Sequence, residues 1–72
     1  MTNIHPTASI HPTATIGKRV IIAPHVVVCA NAWIQDDARL GERVVVCEGA
    51  RVPRFSNVGD GRVVDAWETF TN

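Results

Sequence analysis

Four side chains that can hold a metal or move a proton recur at intervals of eighteen residues: His11, Cys29, Cys47 and Asp65. Imidazole, thiolate and carboxylate are all zinc ligands. Imidazole is also the side chain that titrates nearest neutrality, which suits it to general-base work. Two further histidines, His5 and His25, lie outside this series. Trp33 and Arg51 share the same interval of eighteen. A cation over an indole contributes roughly 0.5–1 kcal/mol at an exposed site. Such a pair offers a platform for a planar ligand such as an adenine, or it is local surface packing.

The interval of eighteen is three times a shorter one. Stepping by six from Ile4 meets Ile10, Ile16, Ile22, Val28, Ile34, Leu40, Val46, Val52, Val58, Val64 and Phe70, all large and apolar. Large apolar residues fill 23 of the 72 positions. Agreement at every step therefore has a chance probability of about one in 10^5. Four residues after each anchor the chain is small or β-branched: Ala8, Ala14, Val20, Val26, Ala32, Ala38, Val44, Ala50 and Ser56. Between them lie mostly Pro, Asn, Gly, Thr or charge. The phrase Ile4-His5-Pro6-Thr7-Ala8 is followed at once by Ile10-His11-Pro12-Thr13-Ala14.

A period of six excludes an amphipathic helix, because at 100° per residue successive anchors fall 240° apart. Pro6, Pro12, Pro24 and Pro53 exclude long strands. Small and large inward residues two apart fit a short strand that turns a polar corner into the next. Three such sides close an 18-residue coil, and twelve hexads make about four coils. The fold class is all-β, a single-chain parallel β-helix.

The pattern of a large aliphatic residue, three variable positions and a small residue, together with "IHPTA" and "IGKRVIIAPHVVV", resembles the hexapeptide-repeat family. The resemblance covers most of the chain, from Ile4 to about Val58. It implies a left-handed parallel β-helix, and the hand rests on the resemblance alone. Many members of the family are acyltransferases. The motif describes the core, so it speaks strongly for the fold and weakly for the activity.

One domain is expected, with residues 1–60 as the β-helix. Arg62 and Glu68 stand where small inward residues belong. Residues 61–72 thus read as a degenerate last coil or a C-terminal cap, with Trp67 and Phe70 over the open end. The 7 basic and 7 acidic side chains cancel, which argues against nucleic acid or an anionic membrane as the main partner. No apolar run approaches the ~20 residues needed to span a bilayer, and no targeting segment is evident. The expected compartment is the cytoplasm.

Stacking residues eighteen apart sorts the outward positions into three faces. The second carries Ser9, Val27, Val45 and Val63. A flat stripe of exposed valines reads as an interface, or as β-branched residues that simply suit strands. The resemblance implies a homo-oligomer, with a trimer favoured. The His11–Cys29–Cys47–Asp65 column follows that face. Ligands stacked in line ~4.8 Å apart point the same way, whereas a tetrahedral site needs convergent ones, so no metal is expected. A Cys29–Cys47 disulfide is conceivable by distance but poorly oriented. Half-buried thiols are the simpler reading.

In acyltransferases of this family a histidine near the cleft between subunits deprotonates the acceptor. By position the resemblance assigns that role to His25, with His11 second. Acetyl- or acyl-coenzyme A becomes the co-substrate, bound in passing rather than tightly, and Trp33 and Arg51 become the candidate cofactor-binding residues. The branch of the family that binds zinc through an HxxxxH motif is not matched, since His5 and His11 are six apart. Stacked Thr-x-Thr ladders of the antifreeze type are also absent, because Asn31 and Gly49 follow Thr13 in its column. Four coils span only about 19 Å, and no loop interrupts the hexads to wall a cleft. A non-catalytic, minimal or truncated β-helix that acts as an oligomerisation module is therefore the alternative.

Overall fold

The computed structural model describes residues 2–66. Eleven two-residue strands run through them in chain order, separated by four-residue corners. The first coil is β1 (Asn3–Ile4), β2 (Ser9–Ile10) and β3 (Thr15–Ile16). The second is β4 (Ile21–Ile22), β5 (Val27–Val28) and β6 (Trp33–Ile34). The third is β7 (Arg39–Leu40), β8 (Val45–Val46) and β9 (Arg51–Val52). Two strands of a fourth follow, β10 (Asn57–Val58) and β11 (Val63–Val64). Trp67 and Phe70, expected over the end of the stack, lie outside the described residues.

Each strand pairs in parallel with the strand eighteen residues away, which makes three sheets in the orders β1-β4-β7-β10, β2-β5-β8-β11 and β3-β6-β9. The register is in line, with Ile4 on Ile22, Ile22 on Leu40 and Leu40 on Val58. The chain is thus a β-solenoid whose three sheets surround one core. In each strand the first residue faces out and the anchor faces in. Both inward columns fill the interior: Val20, Ile22, Val26, Val28, Ala32, Ile34, Ala38, Leu40, Val44, Val46, Ala50 and Val52 are each at most 2% exposed. The first coil has a neighbour on one side only, and its anchor Ile4 is 44% exposed.

The corners explain the repeated "IHPT". In later coils the third residue after the anchor takes a left-handed conformation, at Arg19, His25, Asn31, Asp37, Arg43, Gly49, Phe55 and Gly61. From Asp37 onward its N–H donates to a corner carbonyl of the preceding coil, as in Asp37 N to Lys18 O at 2.9 Å and Phe55 N to Asp36 O at 3.1 Å. In the first coil Pro6-Thr7 and Pro12-Thr13 form tight turns, with Ala8 N bonded to His5 O and Ala14 N to His11 O, both at 2.9 Å, the same closure that Ala50 N makes to Cys47 O at 3.0 Å in a left-handed corner. There the threonine hydroxyls replace the carbonyls, accepting from His25 N and Asn31 N at 3.0 Å each. The threonine N–H groups donate in turn to the Nδ1 atoms of His5 and His11, at 3.2 and 3.1 Å. The phrase is a corner clip.

Among the described residues, one buried side-chain group is unsatisfied. Ser56, in the small inward column, is 2% exposed and its Oγ has no hydrogen-bond partner. An unpaired buried hydroxyl costs about 1–3 kcal/mol. Ser56→Ala is accordingly expected to stabilise the fold by about 1 kcal/mol, which raises the unfolding midpoint by about 4–8 °C. Thermal unfolding followed by circular dichroism checks this; a lower midpoint would show that the hydroxyl has a partner in solution.

Candidate functional site

The valine column stands as a continuous ridge on the second sheet. Val27, Val45 and Val63 are in register, with Val27 40% and Val63 48% exposed and Val45 half-buried. The corner entering this face carries His25, and the corner leaving it carries His11, Cys29, Cys47 and Asp65. The two candidate bases therefore bracket the valine face on opposite edges, one coil apart, and are not brought together within one chain.

Their hydrogen bonding differs. The backbone N–H of Thr13 can only donate, so His11 Nδ1 is an acceptor. The Thr13 hydroxyl lies 2.8 Å from the same nitrogen. In the neutral ring the proton then sits on Nε2, which makes the outward nitrogen a donor. Acting as a base through Nε2 requires the opposite tautomer. His5 is bound in the same way by Thr7. His25 is exposed, with its backbone N–H bonded to Thr7 and its ring free of hydrogen bonds among the described residues. Among the described residues, of the three imidazoles only that of His25 is open at both nitrogens.

A shallow groove of about 460 Å³ runs beside His11, between Val27, Cys29 and Glu48. Cys29 and Cys47 are half-buried and form no disulfide. The Cys47 thiol donates to Asp65 Oδ1 at 3.5 Å. No group of three or more metal-ligating side chains converges among the described residues.

Trp33 and Arg51 meet on the third sheet as a cation–π pair, with the guanidinium carbon 4.8 Å from the ring centroid. One indole face is thus covered, and a planar ligand there would displace Arg51. The hollow that Trp33 forms with Gln35, Asp36 and Arg54 measures about 210 Å³, below the ~300 Å³ at which ligand pockets begin. This pair lies on the His11 side of the valine face. His25 lies on the other side, so no single-chain site joins His25 to Trp33 and Arg51.

Two further features of the corners emerge once the coils are stacked. Gly17 and Gly41 make room for Asp36 and Asp60, nineteen residues later, whose carboxylates accept from Lys18 N and Glu42 N at 2.8 Å each. At the corner between the third and first sheets, Arg19 forks onto Asp37, with Nε–Oδ1 at 2.7 Å and Nη2–Oδ2 at 2.9 Å. That hydrogen bonding holds the Asp37 carboxyl below its usual range and the guanidinium above its own.

Comparison with protein-family models and with curated proteins returns no match to this chain. No helix among the described residues is long and apolar enough to cross a membrane.

Proposed function

We propose that the protein is a hexapeptide-repeat β-helix that works as a homo-oligomer, a trimer on the family resemblance, with the valine face buried between subunits. On this reading it is acyltransferase-like, and the cleft at the edge of that face takes acetyl- or acyl-coenzyme A. The observation that carries the proposal is the in-register valine ridge with the open imidazole of His25 at its rim. A cyclic contact sets one edge of the face against the opposite edge of its neighbour. The His25 side of one subunit then meets the side of Trp33 and Arg51 of the next, which supplies the juxtaposition a single chain lacks.

In that cleft His25 would take a proton from an acceptor hydroxyl or amine as the acceptor attacks the thioester carbonyl. The C–S bond breaks, the acyl group passes to the acceptor, and the proton returns to the departing sulfur. His11 serves this role less well, because Thr13 already occupies its Nδ1.

A second reading is supported by the shallowness of the grooves and the clip role of His5 and His11. It makes the protein a non-catalytic oligomerisation module. Light scattering and thiol release from acetyl-coenzyme A with a panel of hydroxyl and amine acceptors separate the two. The catalytic reading expects a constant trimer mass, turnover, and loss of at least about 100-fold in rate with His25→Ala at an unchanged circular dichroism spectrum. A trimer that neither binds nor turns over acetyl-coenzyme A selects the assembly reading. Undiminished turnover by His25→Ala would remove His25 from the mechanism.

A further inference from the structure

The vertex opposite the valine face carries a feature that this function does not use. Eight corner residues adopt the left-handed conformation, and seven of them are polar, charged or glycine. The eighth is Phe55, at φ 62°. A bulky ring is an outlier in that region. Phe55 also buries little in return, being 63% exposed. The corner ladder imposes that conformation, with Phe55 N donating to Asp36 O at 3.1 Å, and the exposed ring is what sets this corner apart.

Phe55 forms one wall of a groove of about 540 Å³ on the first sheet, with Arg19, Ile21, Asp37, Arg39 and Asn57 among its other walls. That volume falls within the range of small-molecule sites, about 300–1,000 Å³. Arg19 and Asp37 neutralise each other. Arg39 has no ion pair or side-chain hydrogen bond among the described residues, so the groove carries one uncompensated positive charge. The exposed Ile21, in register with Arg39, gives an apolar floor. Asn57, in register on the other side, offers an amide beside the guanidinium. Phe55 lies two residues before Asn57, the register partner of Arg39, and both Phe55 and Arg39 border the groove.

We infer that this groove binds a planar aromatic ring bearing one anionic group, the ring on Phe55 and the carboxylate or phosphate on Arg39. A guanidinium grips such anions through two parallel hydrogen bonds, and offset stacking holds the ring. The site sits on the far vertex from the valine face and stands or falls independently of acyl transfer.

The test is amide-resolved NMR titration of the full chain with adenosine 5′-monophosphate and, separately, with 1-naphthoate. Saturable shifts are expected at Arg39, Phe55 and Asn57 below about 1 mM ligand. Arg39→Gln and Phe55→Asn should each weaken binding about tenfold. Asparagine suits the left-handed corner, so Phe55→Asn removes the ring and keeps the fold. Arg43→Gln, an equal loss of charge at another corner, should change nothing. Binding of only one probe supports the site and identifies the anion it takes. Equal affinity for inorganic phosphate, shifts confined to Trp33 or the valine face, or no saturation would overturn the inference.

Discussion

Replacing Gly41 with alanine is expected to lower the unfolding midpoint by about 10–20 °C. The reason is space rather than backbone freedom. A methyl group at Gly41 would lie 2.8 Å from the backbone nitrogen of Asp60 and 3.0 Å from the carbonyl oxygen of Val58, besides meeting the Asp60 carboxylate. Two of these neighbours are main chain of the adjacent coil, fixed by the ladder that runs through Gly41 N to Val58 O at 2.8 Å. Relief requires the coils to separate, which loosens every bond at that corner. Overpacking of this kind costs about 1–3 kcal/mol, a large share of the stability of so short a chain. Gly17 faces the same limit, at 2.7 Å from Asp36 N and 2.9 Å from the Gln35 carbonyl carbon. The carboxylate contribution can be isolated. Asp60→Ala removes the acceptor of Glu42 N and should cost about 1 kcal/mol. Combined with Gly41→Ala it should cost less than the sum, because one of the clashing groups is gone. Additive losses, or an unchanged midpoint for Gly41→Ala, would show that the coils give way freely there.

The core was legible because a solenoid repeats its physical demand. Every side of every coil must fill the same interior, so Ile4 through Val64 recur at one spacing, and the in-register stacking of Ile22 on Leu40 on Val58 follows from the count of eighteen. The corners face no common interior, and their solutions differ. Glycine-to-aspartate spacings of nineteen, Gly17 to Asp36 and Gly41 to Asp60, were present in the sequence but mean nothing until the coils are stacked. The left-handed corners at Arg19, Arg43 and Phe55 carry residues with no preference for that conformation. The tertiary ladder imposes it on them.

The same contrast explains why the site was harder to read than the fold. Columns of equal spacing suggested His11, Cys29, Cys47 and Asp65 as a group, and stacking does align them. Alignment is a poor arrangement for catalysis or ligation, which need convergence. Which histidine stays open at both ring nitrogens depended on hydrogen bonds to Thr7 and Thr13. No feature of His5, His11 or His25 in isolation distinguishes them.

If the proposed homo-oligomer forms through the valine face, Val45→Glu is expected to give a monomer while leaving the circular dichroism spectrum and the unfolding profile of a folded chain. Val45 occupies the middle of the ridge, between Val27 and Val63. Fully burying one valine contributes roughly 1.5–3 kcal/mol; Val27 and Val63 are already more than half buried in the single chain, so the ridge gains about half of that per residue and supplies part of what offsets the entropy of association. A carboxylate at the centre loses that contribution, must be desolvated, and in a cyclic assembly meets its own copies. Ile21→Glu provides the control. It makes a closely similar chemical change on the first sheet, where Ile21 is 42% exposed and sits beside Arg39, so the mass should stay that of the parent. Sedimentation or light scattering of the three proteins decides the matter. If the parent is a monomer at every concentration, the ridge is not an interface, and the inter-subunit cleft required for acyl transfer does not exist. If both glutamate variants fall apart, the contact extends over the first sheet, and the groove between Phe55 and Arg39 would be covered in the assembly. Loss of association with Val45→Glu alone places the interface on the valine face and leaves that groove open.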